Sequence, residues 1–316
     1  MKAIRLHAFG GPENLELDEI ERPTPVRGEV LIRNRAAGVN PIDWKTCAGG
    51  GASAFIGELP FIPGWECAGT VEAVGDGVTD FQPGDEVFGF LRFPEAAGCY
   101  AEYTCAPSNQ IAKRPPALDV NAAAGLGLAG LTAWQALHDK AQVKPGQRVL
   151  VLAAAGGVGH LAVQLAKAAG AFVIGTASSA NQAFLEALGC DQCIDYSQAN
   201  LAVSVRDVDV IIDGVGGQTA IEALTCLRSG GTLVTLPSVT AGEVMEAAEK
   251  AGCRALGIRV EPNGTQLAKL ATLTEQGKLS LTLAQTLPLE QASQAHQLSS
   301  SGHQRGKIVL TIETGA

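Results

Sequence analysis

The densest chemical signal in the chain is "VLVLAAAGGVGHLAVQLAKAAG" (149–170). An apolar, strand-like run leads into Ala154, Gly156 and Gly159, the spacing of GxGxxG with alanine in the first place, and a helical pattern follows. Small residues at these places allow a tight turn, close approach of backbone to a pyrophosphate, and close packing of helix on strand. Backbone N–H groups at the helix start then meet the phosphates, which nominates Ala155, Gly156, Gly157, Val158 and Gly159 as the cradle. A glycine-rich turn that holds nothing is the alternative. The strand before, the helix after and a second β-α unit beyond favour a dinucleotide.

The end of the second strand bears on which dinucleotide. A site for NAD places Asp or Glu about 20 residues on, against the ribose hydroxyls. Here the sequence is "IGTASSANQ", with no acid before Glu186. Ser178 and Ser179 suit a 2′-phosphate and nothing local would repel it, so NADP(H) is the expected cofactor; Ser179 also suits a helix N-cap. Val215, Leu236, Pro237 and Ser238 fall at the C-terminal ends of later strands, where dinucleotides lie.

Other chemistries find less support. There is no GxSxG, HExxH or GxxxxGK[ST]. The five histidines (7, 138, 160, 296 and 303) are scattered, and His160 is expected at the surface, with a place near the pyrophosphate as the alternative. Of eight cysteines, Cys190 and Cys193 form a CxxC without the second donor pair that zinc requires, which favours a structural role over a redox one. In "IPGWECAGTVEAVG" (62–75), Trp65, Glu66 and Cys67 read either as the edge of a metal site or as a turn into a buried strand.

Two textures position these residues. Up to about residue 115, short alternating runs broken by Gly and Pro ("KAIRLHAF", "EVLIRNRAAG", "DEVFGF") predict a mainly β domain, barrel-like or sandwich-like. From 147 on, Val/Ile/Leu runs alternate with helical segments, the pattern of a doubly wound parallel sheet covered on both faces. The closing strand "GKIVLTIE" is suited to rejoin the first domain, making the α/β unit an insertion. A net charge of −9 without a basic block argues against nucleic acid, and no apolar stretch is long enough to span a membrane. A cytoplasmic protein with reduced thiols is expected.

The ordered motifs "AAGVNPIDWK" (36–45), "PFIPGWECAGTVEAVG" (60–75), "FQPGDEVFG" (81–89), "LAGLTAWQAL" (128–137), "DGVGG" (213–217) and "GHQRGKIVL" (302–310), with the glycine motif, span the chain. It resembles the medium-chain dehydrogenase/reductase superfamily, most closely its zinc-free quinone oxidoreductase or ζ-crystallin-like branch. The resemblance implies a GroES-like catalytic domain from 1–120 and 261–316 around an inserted Rossmann domain, 121–260. It implies NADPH-dependent reduction of a quinone or an α,β-unsaturated carbonyl (enone or enal), and a homodimer.

Asn40, Asp43 and Lys45 match a loop that in the family lines the nicotinamide and substrate cleft. Lys45 is suited to stabilise a developing enolate oxygen; a salt bridge to Asp43 or simple solvation is its alternative. Thr132 and Tyr196 match cofactor-facing positions. Zinc-using relatives carry Cys and His where this chain has Asn40 and Trp65, which leaves no three-ligand catalytic site. A lysine common near the 2′-phosphate is Gln182 here. "TCAGGGASAFIGELP" (46–60) lacks the family's tyrosine, with Phe55 and Phe61 expected to supply apolar contact at a mobile pocket rim. A cofactor-binding structural or RNA-binding protein of the crystallin type, and a zinc alcohol dehydrogenase, are the competing readings.

Overall fold

A computed structural model describes residues 1–313. Strands β1 (Lys2–Leu6), β2 (Leu15–Glu19) and β3 (Glu29–Val39) lead to helix α1 (Pro41–Cys47). Strands β4 (Glu66–Val74), β5 (Glu86–Phe90), β6 (Tyr103–Pro107) and β7 (Ile111–Lys113) then lead to α2 (Val120–Trp134). Alternation follows: β8 (Arg148–Val151), α3 (Gly159–Ala168), β9 (Phe172–Ala177), α4 (Gln182–Ala187), β10 (Gln192–Asp195), α5 (Leu201–Ser204), β11 (Val208–Asp213), α6 (Gly217–Ala223), β12 (Leu227–Thr235), α7 (Ala241–Lys250) and β13 (Arg254–Gly257). Helix α8 (Gly264–Glu275), β14 (Leu283–Pro288), α9 (Ala292–Ser300) and β15 (Lys307–Thr311) complete the described elements.

Two compact units emerge. The first comprises Met1–Leu131, Glu261–Gly277 and the chain from Leu281 onward; the second comprises Thr132–Val260 with Lys278–Ser280. In the first, a sheet runs β14-β15-β3-β4-β5-β7, with β6 also on β3. Long β3 serves two partners: Glu29–Arg33 pair with β6, and Ala36–Val39 pair antiparallel with β15, where Ile308 faces Val39. The closing strand thus returns to the first domain, as its Val/Ile content suggested. Its buried face joins Val30, Ile32, Val71, Val87, Ile308 and Leu310 in one apolar core.

The second unit is a six-stranded parallel sheet ordered β10-β9-β8-β11-β12-β13. Strands numbered from β8 run 3-2-1-4-5-6, the doubly wound order, with its reversal between β8 and β11. Leu150, Ile174, Ile211 and Leu233 from four strands form its core, with helix residues Ala220 and Val244. Two strands escape the sequence patterns. β7 is three residues long, and β10 is the polar edge strand "QCID". The segment Leu224–Cys226 makes a 3₁₀ turn that leads directly into β12 at Leu227. No helix among the described residues is long and apolar enough to cross a membrane.

Candidate cofactor site and a buried polar network

The glycine motif forms the turn from β8 to α3, at the sheet's point of reversal. Ala153 takes a left-handed φ of 51° to make that turn. A Cβ on Gly159 would run into the Ala153 carbonyl oxygen and the Ala154 Cα, so helix and strand meet through a missing side chain. Among the described residues, Gly157 and Val158 donate none of the backbone hydrogen bonds outside helices and strands. Those free N–H groups at a helix start suit a pyrophosphate. Ala155 is nearly buried, while Gly156, Gly157 and Val158 are half-buried.

His160 does not lie at the surface. It is fully buried, with Nδ1 on the Gly156 carbonyl at 2.8 Å. It is the second residue of α3, in the helix's first turn.

The remaining candidates gather at the C-terminal ends of neighbouring strands. Ser178 and Ser179 follow β9, Tyr196 follows β10 and is 61% exposed, Val215 follows β11 and is 47% exposed, and Leu236, Pro237 and Ser238 follow β12. Thr132 sits buried in the last turn of α2. Ser179 is not a helix cap: its hydroxyl donates to the Asp195 carboxylate. The Ser178 Oγ accepts from Asn181 at 3.2 Å, and the Gln182 amide folds back on the Ala177 and Ser178 carbonyls at 3.0 and 3.2 Å.

Asp213, at the end of β11, is fully buried and shapes the next loop. Its Oδ1 accepts from the Val215 and Gly216 N–H groups at 2.8 and 2.9 Å, and its Oδ2 from the Thr235 hydroxyl at 2.7 Å. It was missed in the sequence, although "DGVGG" carries the signal of a side chain closing a glycine turn.

In the first unit, Glu66 finds its partners. Fully buried at the start of β4, it accepts from Lys307 Nζ at 2.8 Å, Asn40 Nδ2 at 2.7 Å and the Leu128 N–H at 2.7 Å. Lys307 is 4% exposed, and its ammonium also donates to the Val39 carbonyl at 3.1 Å and to the Asn40 side-chain oxygen. Three acceptors thus satisfy the three donors of one buried cation. Trp65 is buried, its Nε1 donating to the Glu95 carbonyl at 2.7 Å, and residues 62–75 form a turn into the core strand β4.

A second chain of polar groups adjoins it. The Asp43 carboxylate accepts from the Asn40 N–H at 2.7 Å and from the Tyr100 hydroxyl at 2.9 Å, and His296 Nε2 lies 3.3 Å from that hydroxyl. Asp43 Oδ1 and His296 Nδ1 have no partner. Burial pushes the Asp43 carboxyl up to about 7, partly offset by these two hydrogen bonds, and pushes His296 down to about 4.

Comparison with known proteins fits this architecture. Residues 26–116 match the alcohol dehydrogenase GroES-like domain, and residues 188–310 match the zinc-binding dehydrogenase domain. The chain is 35% identical to a 2-haloacrylate reductase of Burkholderia sp, covering 98% of each, and 32% identical to the quinone oxidoreductase of Homo sapiens, covering 99% of this chain and 98% of that one. The solved quinone oxidoreductase of Coxiella burnetii superposes with a TM-score of 0.94 at 41% identity, over 99% of each chain. The chain belongs to the medium-chain dehydrogenase/reductase family.

As a member of that family it is an oxidoreductase built from a GroES-like domain and a Rossmann-type parallel-sheet domain, and it uses a nicotinamide cofactor. Within this dehydrogenase/reductase chain, the expected loop is instead the N-cap and body of α1, with Asn40 as the cap and Asp43 and Lys45 inside the helix, and the three residues divide. Asn40 and Asp43 are buried and engaged, whereas Lys45 is half-buried, 5.3 Å from the Trp44 ring centroid, and makes no salt bridge to Asp43. Phe55 is 51% exposed, but Phe61 is 5% exposed because its backbone bridges to Leu6 and carries its ring into the core. Phe61 therefore lies off the expected rim. Burial raises the Cys190 thiol to about 12 and also raises Cys193, which disfavours the reactive thiolate at both.

Proposed function

We propose that the protein is an NADPH-dependent, zinc-independent reductase of quinones or α,β-unsaturated carbonyls. The observation that carries this reading is the closed Asn40–Glu66–Lys307 cluster. Asn40 and Glu66 stand where zinc-using relatives hold a metal, yet here one oxygen of each accepts from the buried Lys307 ammonium, the Asn40 amide donates to Glu66, the other Glu66 oxygen accepts the Leu128 N–H, and Trp65 offers no imidazole. Without a Lewis acid, polarising a simple ketone is difficult, whereas a conjugated acceptor delocalises the incoming charge to oxygen. The relatives' names agree in kind, since quinones and 2-haloacrylate are both conjugated acceptors.

When bound, NADPH supplies a hydride from nicotinamide C4. In this reading the Gly157 and Val158 N–H groups hold the pyrophosphate, Thr132, Tyr196, Val215, Leu236, Pro237 and Ser238 line the cofactor, and Ser178 and Ser179 face the 2′-phosphate. Lys45 donates a hydrogen bond to the oxygen on which charge develops, and a proton then arrives from solvent. Asn40 and Asp43 act as positioning residues: they fix the start of α1 and so the place of Lys45. The subunit is expected to form a homodimer and to act in the cytoplasm.

The test is NADPH oxidation by chelator-treated protein with a panel of quinones and enones, NADH in parallel. Turnover with either acceptor class is expected. Tight NADPH binding with no turnover of either class overturns the reading, and activity that returns only with added zinc overturns its zinc independence.

A further inference from the structure

One acidic residue of the parallel sheet lies beyond the reach of the glycine motif's usual spacing. Parallel pairing sets β10 beside β9 in a register that aligns Asp195 with Ala177, the last residue of β9. An acid is therefore delivered to the same sheet edge where an NAD site would carry one at the end of β9, but from the neighbouring strand. Its carboxylate accepts the Ser179 hydroxyl on Oδ2, and on Oδ1 it accepts the Ser197 N–H at 2.9 Å and the Ser197 hydroxyl at 2.7 Å. These donors hold the carboxyl below its ordinary range, Ser179 first. Asp195 forms no salt bridge among the described residues. The cation that could answer it is missing as well, since Gln182 occupies α4's first position and its amide is turned onto backbone carbonyls.

The geometry points to Asp195 as the residue that limits discrimination between NADPH and NADH. It does so in two ways. A 2′-phosphate beside Ser179 meets a fixed negative charge, and the hydroxyl that would bind it is already donating to that charge. NADH, with a free 2′-hydroxyl, meets an acceptor instead. The inference rests on the proposed NADP(H) reading of this unit and refines it: preference for NADPH is weak, and one carboxylate keeps it so.

The experiment is calorimetric titration with adenosine 2′,5′-bisphosphate and adenosine 5′-monophosphate, which differ only in the 2′-phosphate, with NADPH and NADH titrated alongside. Two unit charges separated by a few ångströms at a protein surface, partly screened, change affinity by about fivefold to tenfold. Asp195→Asn keeps an oxygen for Ser179 and Ser197. It is expected to tighten the bisphosphate and NADPH by about that factor, with the monophosphate and NADH within twofold of wild type. Asp195→Ser should shift the ratio in the same direction, and adding Ser179→Ala to Asp195→Asn should return part of the gain. A ratio unchanged in both Asp195 variants, or nucleotides that all shift together, overturns the inference. If neither adenosine nucleotide binds wild type or variant, the nucleotide reading of the unit fails, and the inference fails with it.

Discussion

Asp43 and His296 bend the pH dependence of stability in opposite senses. Burial raises the Asp43 carboxyl from 3.8 to about 7, so between those values the folded chain keeps a proton that the unfolded chain releases, and stability falls as pH rises. Burial lowers His296 from 6.5 to about 4, so there the unfolded chain takes up a proton that the folded chain refuses, and stability climbs with pH. Each group is worth about 3 to 4 kcal/mol across its window at the usual conversion per pKa unit, and where the windows overlap they largely cancel. His296→Gln should expose the falling limb from pH 4 to 7, and Asp43→Asn the rising limb from pH 4 to 6.5, read as urea midpoints at half-unit steps. Two variants with one shared profile would show that other groups govern the titration. Tyr100 links the pair, and its own hydroxyl is pushed well above its ordinary value by burial beside Asp43.

The β8-turn-α3 element separates folding from binding at two glycines. A Cβ at Gly156 would stand 3.2 Å from the Ala153 carbonyl oxygen, a contact that a small shift relieves, whereas one at Gly159 would overlap that oxygen and the adjoining Cα. Gly159→Val is therefore expected to cost about 1 to 3 kcal/mol, as overpacking does, or more. Gly156→Ala should leave the melting temperature within a few degrees while weakening NADPH binding about tenfold or more, because the new methyl stands where a pyrophosphate would approach. Thermal melts and nucleotide titrations on both variants check the split, and equal loss of affinity without loss of stability at Gly159 would argue against close packing. The strand, turn and helix of this element were legible in the sequence, since they depend on neighbours in the chain, whereas the burial of His160 in its first turn was not. Nor was the element's neighbour at the end of β9: Ser179 read as a cap or phosphate ligand, and its partner Asp195 comes from an edge strand too polar and short to register.

At the scale of the molecule, the first unit is tied shut by its last strand. Lys307 lies 241 residues from Glu66 along the chain, and the antiparallel insertion of β15 against β3 brings them to 2.8 Å with essentially no solvent between them. Breaking such a pair leaves a buried charge alone, at a cost of about 3 to 5 kcal/mol. Lys307→Met should lose that much in denaturant titrations, and Lys307→Met with Glu66→Gln should recover more than half, because the amide still accepts from Asn40 or Leu128 without a charge to compensate. A double variant no better than the single would mean that Lys307 acts through packing of its stem alone. The room for Glu66 has its own local cause: a Cβ on Gly38 would overlap its carboxylate.

What the amino-acid sequence determined by itself was whatever depends on short-range pattern. Alternating and continuous apolar runs specified nearly every strand, the glycine spacing specified the turn from β8 to α3, and Trp65 in place of an imidazole argued against a three-ligand metal site. The tertiary structure alone decided which distant side chains meet. Sheet register put Lys307 against Asn40 and Glu66, parallel pairing carried Asp195 to Ser179, and the fold buried His160. Periodicity is a property of neighbours in the chain, whereas charge pairing and burial are properties of neighbours in space, and strand order converts the one into the other.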